Sequence, residues 1–170
     1  MEKPTYTPPP NETQRQRNAK TKAALELLAN NKELHELMRN HALADLKTTI
    51  TDQIVTEGHE LSDALLAYGV QLDPNVASVW IADQLEKSIG GITEWLAGFA
   101  YYTGNSKANL ARAVGIRQQS YATHFPQMEE IATAQGRADE TGEPQPIIIH
   151  GDPFVIQPPA EESDTTTEGD

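Results

Sequence analysis

From Ala23 to Asp73 the sequence contains no proline, and its apolar residues recur mostly three or four positions apart: Leu27, Leu28, Leu34, Leu37, Met38, Leu43, Leu46, Ile50, Ile54, Val55, Leu61, Leu65 and Leu66. That spacing gathers them on one side of a helix with 3.6 residues per turn and does not fit the two-residue alternation of a half-buried strand. A large part of the chain is therefore committed to helix. Breaks are expected near Asn30-Asn31 and at Gly58. Gly69 and the Asp73-Pro74-Asn75 turn end the region, because proline disfavours α geometry in its predecessor and suits the first turn of a new helix. Helix resumes with Val76, Val79, Trp80, Ile81 and Leu85. Gly90-Gly91 is expected to break or cap it, and Ile92, Trp95, Leu96, Phe99 and Ala100 form a further apolar stripe. The expected fold class is all-α.

Both ends lack this periodicity. Residues 1–10 hold four prolines, and residues 1–22 are expected to be a disordered basic arm that runs into helix. Residues 23–103 form the helical region, with support and dimerisation helices. Residues 104–137 form the next unit. Residues 138–170 carry nine acids and no base and are expected to be an acidic disordered tail. Within that tail, residues 147–149 and 154–156 are the two β-like patches. They are able to pair as a hairpin across His150-Gly151-Asp152-Pro153, but the surrounding prolines favour flexibility.

The formal net charge is −12, from 25 acidic and 13 basic side chains. This acidity is uneven, because residues 104–127 hold Lys107, Arg112 and Arg117 with no acid, a local inversion of sign that leaves room for a polyanionic partner. The chain has no cysteine, which removes thiolate chemistry, disulfides and cysteine-containing metal sites. No apolar run reaches the roughly 18 residues of a membrane span and no signal-peptide pattern is present, so a cytoplasmic location without membrane contact is expected.

The informative segment is residues 104–125, GNSKANLARAVGIRQQSYATHF. Asn105 or Ser106 suits an N-cap, residues 107–114 make a short helix with Leu110, Ala111 and Val114 inward, and Gly115 suits the positive φ of a sharp exit. Ala111 is small where two helices cross steeply, Ile116 plugs the turn, and Tyr121 and Phe125, four apart, return the second helix to the same core. Arg117, Gln118, Gln119, Ala122 and Thr123 then face outward. Such a surface of guanidinium, amide and small groups suits the major groove.

This pattern resembles the helix-turn-helix family, most closely its Fis-type form. The matching residues are the apolar stripe to Tyr102, Gly104-Asn105, and Ala111-Arg112-Ala113-Val114-Gly115-Ile116, within residues 92–127. The resemblance implies a supporting helix over residues 92–102, a positioning helix over 107–114 and a recognition helix over 118–125. It further implies a DNA-binding transcriptional regulator or accessory protein whose partner is double-stranded DNA. Arg117, Gln118, Gln119 and Thr123 would meet bases, and Lys107, Arg112, Asn105 and Ser106 would meet phosphates.

No enzyme constellation competes with this reading. His35-Glu36 and His59-Glu60 begin like a zinc-protease motif, but Arg39 and Asp63 stand where its second histidine belongs. No catalytic residue, metal or cofactor is therefore assigned. His124 is expected to cover the end of the core rather than touch a phosphate. Trp80, Trp95, Phe99, Tyr101 and Tyr102 are expected to be core rather than a ligand pocket. The alternative function is an acidic protein-interaction module without DNA binding, imitating nucleic acid or docking on a protein partner. The apolar stripe of residues 25–66 exceeds what one supporting helix needs, so a homodimer is expected.

Overall fold

The computed structural model describes residues 11–159. Six α-helices and one two-stranded hairpin follow in chain order: α1 Gln14–Asn30, α2 Lys32–Leu66, α3 Pro74–Tyr102, α4 Lys107–Ala113, α5 Tyr121–His124, α6 Met128–Thr141, β1 Gln145–Ile149 and β2 Asp152–Ile156. The chain is mostly helical, as expected, with the hairpin as a C-terminal addition.

Order begins earlier than the arm of residues 1–22 implied, because α1 already starts at Gln14. Thr13 closes a capping box with Gln16, each side chain bonding the other's backbone N–H. Gln14, Arg17, Asn18, Thr21, Leu25 and Leu28 are half-buried at helical spacing, so the basic stretch is already part of a helix that turns one side to the protein. Residues 1–10 of the arm lie outside the described residues.

The expected break near Asn30-Asn31 is a single non-helical residue, Asn31, which ends α1 and caps α2 by accepting from the Leu34 N–H at 3.0 Å. The expected breaks at Gly58 and Gly90-Gly91 are absent, and α2 and α3 run through them. These glycines mark close approaches instead. A Cβ on Gly58 would lie 2.1 Å from Ser78 Oγ and 2.8 Å from the Pro74 carbonyl, where α2 crosses α3. One on Gly91 would press on the Phe154 ring at 3.3 Å, and one on Gly98 would meet Ile131 Cγ2 at 2.5 Å, where α6 crosses. The turn at Asp73-Pro74 forms as expected, with Asp73 Oδ1 accepting from the N–H groups of Asn75 and Val76 and Pro74 in the first turn.

Residues 138–156, placed in the disordered tail, are instead helix and hairpin. Ile147 and Ile149 of β1 and Ile156 of β2 pack with Ile131 and Ala138 of α6 under Trp95 and Phe154. The prolines are tolerated for a reason of parity. Ile149 pairs with Asp152 across a two-residue turn, His150 φ 52° and Gly151 φ 86°, both in the left-handed region that a primed turn requires. The pair flanking such a turn is hydrogen-bonded and the next is not, so Pro146 and Pro153 fall where an N–H would point away from the partner strand. Residues 160–170 of the tail lie outside the described residues.

A second buried group, Ala97, Phe125 and Met128, joins α3 to the α5–α6 corner with Tyr101, Leu110 and Tyr121 against it. The aromatic side chains assigned to core divide. Trp95 packs on Phe154 with ring centroids 6.2 Å apart, whereas Trp80, Phe99 and Tyr102 are exposed. Among the described residues no helix is long and apolar enough to cross a membrane.

Candidate nucleic-acid interface

Helix α4 is capped by Ser106, whose Oγ accepts from the Asn109 N–H at 3.2 Å. Gly115 leaves it at φ 72°, in the left-handed region where a residue without Cβ is least strained. The Ile116 N–H returns to the Ala111 carbonyl at 3.0 Å, closing the turn, and Ala111 is 1% exposed. Phe125 is buried and Tyr121 half-buried, as their spacing predicts, while Val114 is exposed at 38% rather than inward.

The expected helix of residues 118–125 is shorter than its sequence suggested. A 3-10 turn, Gln118–Ser120, leads into the single turn α5. Arg117 provides no side-chain cap, and Pro126 biases Phe125 out of the α basin, to φ −124° and ψ 68°. Arg117, Gln118, Gln119, Ala122 and Thr123 are all exposed, and among the described residues none of their side chains makes a hydrogen bond or ion pair. His124 is exposed and stacks edge-on against Phe125, centroids 4.6 Å apart.

The residues assigned to phosphates are engaged inside the protein. Lys107 Nζ donates to the Tyr121 hydroxyl at 2.8 Å, pairs with Glu129 and lies over the rings of Tyr101 and Tyr121. The hydrogen bond to Glu129, and then that to Tyr121, hold its ammonium well above the usual lysine range. Arg112 donates to Asn109 Oδ1 at 3.2 Å and has its Nε 3.8 Å from Glu26. Asn105 donates from Nδ2 to the Ala100 carbonyl at 3.0 Å, completing the end of α3, and Ser106 is the α4 cap. Of the eight proposed contacts, Arg117, Gln118, Gln119 and Thr123 are therefore exposed with their side chains unbonded among the described residues, and the other four bond within the protein.

Two supporting groups were not singled out in the sequence. Asn18 of α1 accepts from the Ser106 N–H at 3.1 Å, donates to the Gly104 carbonyl at 3.1 Å, and its own carbonyl accepts from Asn109 Nδ2 at 2.9 Å. Gln14 adds a bond to the same Gly104 carbonyl at 2.6 Å. The helical spacing of Gln14, Asn18, Thr21, Leu25 and Leu28 was the available signal. The second group sits behind α5. Glu94, fully buried on α3, accepts from the Gln127 N–H and contacts His150 Nε2. Gln127 in turn donates to the Ile148 carbonyl at 2.7 Å and accepts from the His150 N–H at 3.1 Å. One buried carboxylate and one amide thus tie the hairpin turn to the corner between α5 and α6.

No family model matches the chain, and neither a curated protein nor a solved structure is significantly similar to it.

Proposed function

We propose that the chain is a non-enzymatic regulator or accessory protein that binds double-stranded DNA sequence-specifically. In this reading it is a helix-turn-helix protein, with α4 positioning and residues 117–124 entering the major groove by their N-terminal end. The observation that carries the reading is the exposure of Arg117, Gln118, Gln119 and Thr123 next to α4. Among the described residues these donors and acceptors have no protein partner, and they include no carboxylate. Amide side chains suit adenine edges and a guanidinium suits guanine.

The test is titration of labelled duplexes of random and selected sequence at about 50 and about 200 mM salt. Because Lys107 and Arg112 are paired internally and Arg117 is the cation left, the expected salt slope is shallow, about −1, with specificity lost on Arg117→Ala or Gln119→Ala. Absence of binding at the lower salt rejects the reading. One observation favours a second reading: with Lys107 committed to Glu129, a single cation is left on the face, which also suits contact with a protein. That reading expects Arg117→Ala to weaken a protein complex while no duplex binds at either salt.

A further inference from the structure

We propose that α2 and α3 form an exchanged interface with a second copy of this chain, the first part of α2 in each copy lying on the C-terminal part of α3 in the other. Helix α2 is 35 residues long, and its one fully buried residue is Gly58. Before that point Leu34, Met38, Ala42, Leu46, Ile50 and Ile54 make a continuous ridge four residues apart with no charge in it. Met38, Leu46 and Ile50 are 42%, 48% and 38% exposed. On α3, Leu85, Ile89, Ile92, Leu96 and Phe99 follow alternating spacings of four and three, the pattern of a helix seam. Ile89, Leu96 and Phe99 are about half exposed.

The two faces do not cover each other within one chain. The helices cross at Gly58 and Ser78, and that crossing leaves Met38, Leu46 and Ile50 on α2 and Ile89, Leu96 and Phe99 on α3 exposed.

A second copy fits for three reasons. Both faces belong to the same chain, so a two-fold axis buries each twice and leaves nothing over. Their extent is right: residues 32–54 make about 33 Å of helix with a face about 10 Å wide, and α3 adds a shorter one. Together that is on the order of 600 Å² per chain, at the upper end of what a monomer leaves exposed and close to the roughly 800 Å² per partner of a stable interface. Charge does not oppose it. Residues 32–53 carry three bases and four acids, and residues 85–102 carry Glu86, Lys87 and the buried Glu94, so both faces are nearly neutral on a chain of net charge −12.

The test is sedimentation equilibrium of the full chain at micromolar concentration, without DNA, so its outcome is independent of the function proposed above. A mass of twice 18.7 kDa is expected. Ile50→Glu on α2 and Leu96→Glu on α3 should each reduce it to one chain while far-UV circular dichroism keeps its helical signal; Leu46→Ser and Ile89→Ser serve if either glutamate variant loses helix. Mixing the two glutamate variants should recover part of the dimer, because the mixed pair keeps one intact α2–α3 contact. A monomeric full chain overturns the proposal and assigns the faces to another protein. A dimer indifferent to both substitutions places the interface elsewhere, and one lost only on the α2 change shows α2 pairing with itself; both results overturn the exchange.

Discussion

Helix α4 with the turn after it, and the first part of α2, both meet solvent along most of their length, but with opposite chemistry. Around α4 the apolar side chains Ala111, Tyr121 and Phe125 go inward and the amides and guanidinium of residues 117–119 go outward. Along α2 the order is reversed, with Leu37, Met38, Leu46 and Ile50 outward and Gly58 inward. A polar face with no internal partner exposes groups able to recognise a ligand and costs nothing to hydrate. An apolar face of the same size is unfavourable in water and calls for another body. The comparison separates the proposed recognition surface, which is polar, from the proposed interface, which is apolar.

The largest expected effect breaks the α2 side of that comparison. Gly58→Val places atoms inside the van der Waals envelope of Ser78 Oγ and the Pro74 carbonyl, and the second of these is backbone and cannot turn aside. The cost should be about 3 kcal/mol, read from urea unfolding of the full chain, with Gly58→Ala costing less. If Gly58→Val is as stable as the parent, the α2–α3 crossing is not where the structure puts it.

Next comes the support of the α4 side. Asn18→Ala removes the two side-chain bonds that hold α1 to residues 104 and 106, leaves part-buried backbone groups there unpartnered, and keeps the bond from Asn109 to the residue 18 backbone carbonyl. A loss of about 2 kcal/mol is expected. Amide hydrogen exchange should accelerate around α4 before it does in α6. Uniform acceleration across the chain would show that Asn18 has no local role.

The two regions also differ in how far sequence made them legible. Around α4 the residues act through local rules: Gly115 supplies a positive φ, Ser106 caps, and Tyr121 and Phe125 share a face. All of these are fixed by neighbours within a few positions. The long helices were legible as helices by their period, but their glycines were misread. A glycine that interrupts a helix and one that admits a neighbouring helix look identical in one dimension; Gly58 and Gly91 are told apart only by Ser78 and Phe154, twenty or more residues away. The hairpin was lost for a related reason, since the placement of Pro146 and Pro153 at non-bonded positions depends on register. Lys107 is the instructive case within the candidate site. Its charge suggested a phosphate contact, and Glu129, in the next helix but one, holds it instead.

A sharper and smaller effect is expected from Gln119→Ala. If one amide reads one adenine edge, discrimination at that base pair should fall on the order of 1 kcal/mol, with affinity for random duplex unchanged. Competition binding against a panel of single-base variants measures this. A uniform loss across the panel would make Gln119 a backbone contact.

The smallest expected effect turns on Lys107. Its ammonium lies between Tyr101 and Tyr121 and is neutralised by Glu129, so in the parent protein it adds little to a field felt by phosphates. Glu129→Gln removes the carboxylate charge and keeps the shape. The hydrogen bonds to Glu129 and Tyr121 raise the lysine above its ordinary value, so their stabilisation is fully present below the usual lysine range and is lost only as pH rises through the raised value. Neutral pH therefore compares two fully protonated lysines, and any difference reflects the released charge. The salt slope for duplex binding should then steepen by about 1, with affinity rising at low salt and converging with the parent at high salt. The double change Glu129→Gln with Lys107→Met should return the slope to that of the parent. A steeper slope that survives in the double variant would trace the effect to removing a negative charge near the DNA, and Lys107 would then be a purely structural cation.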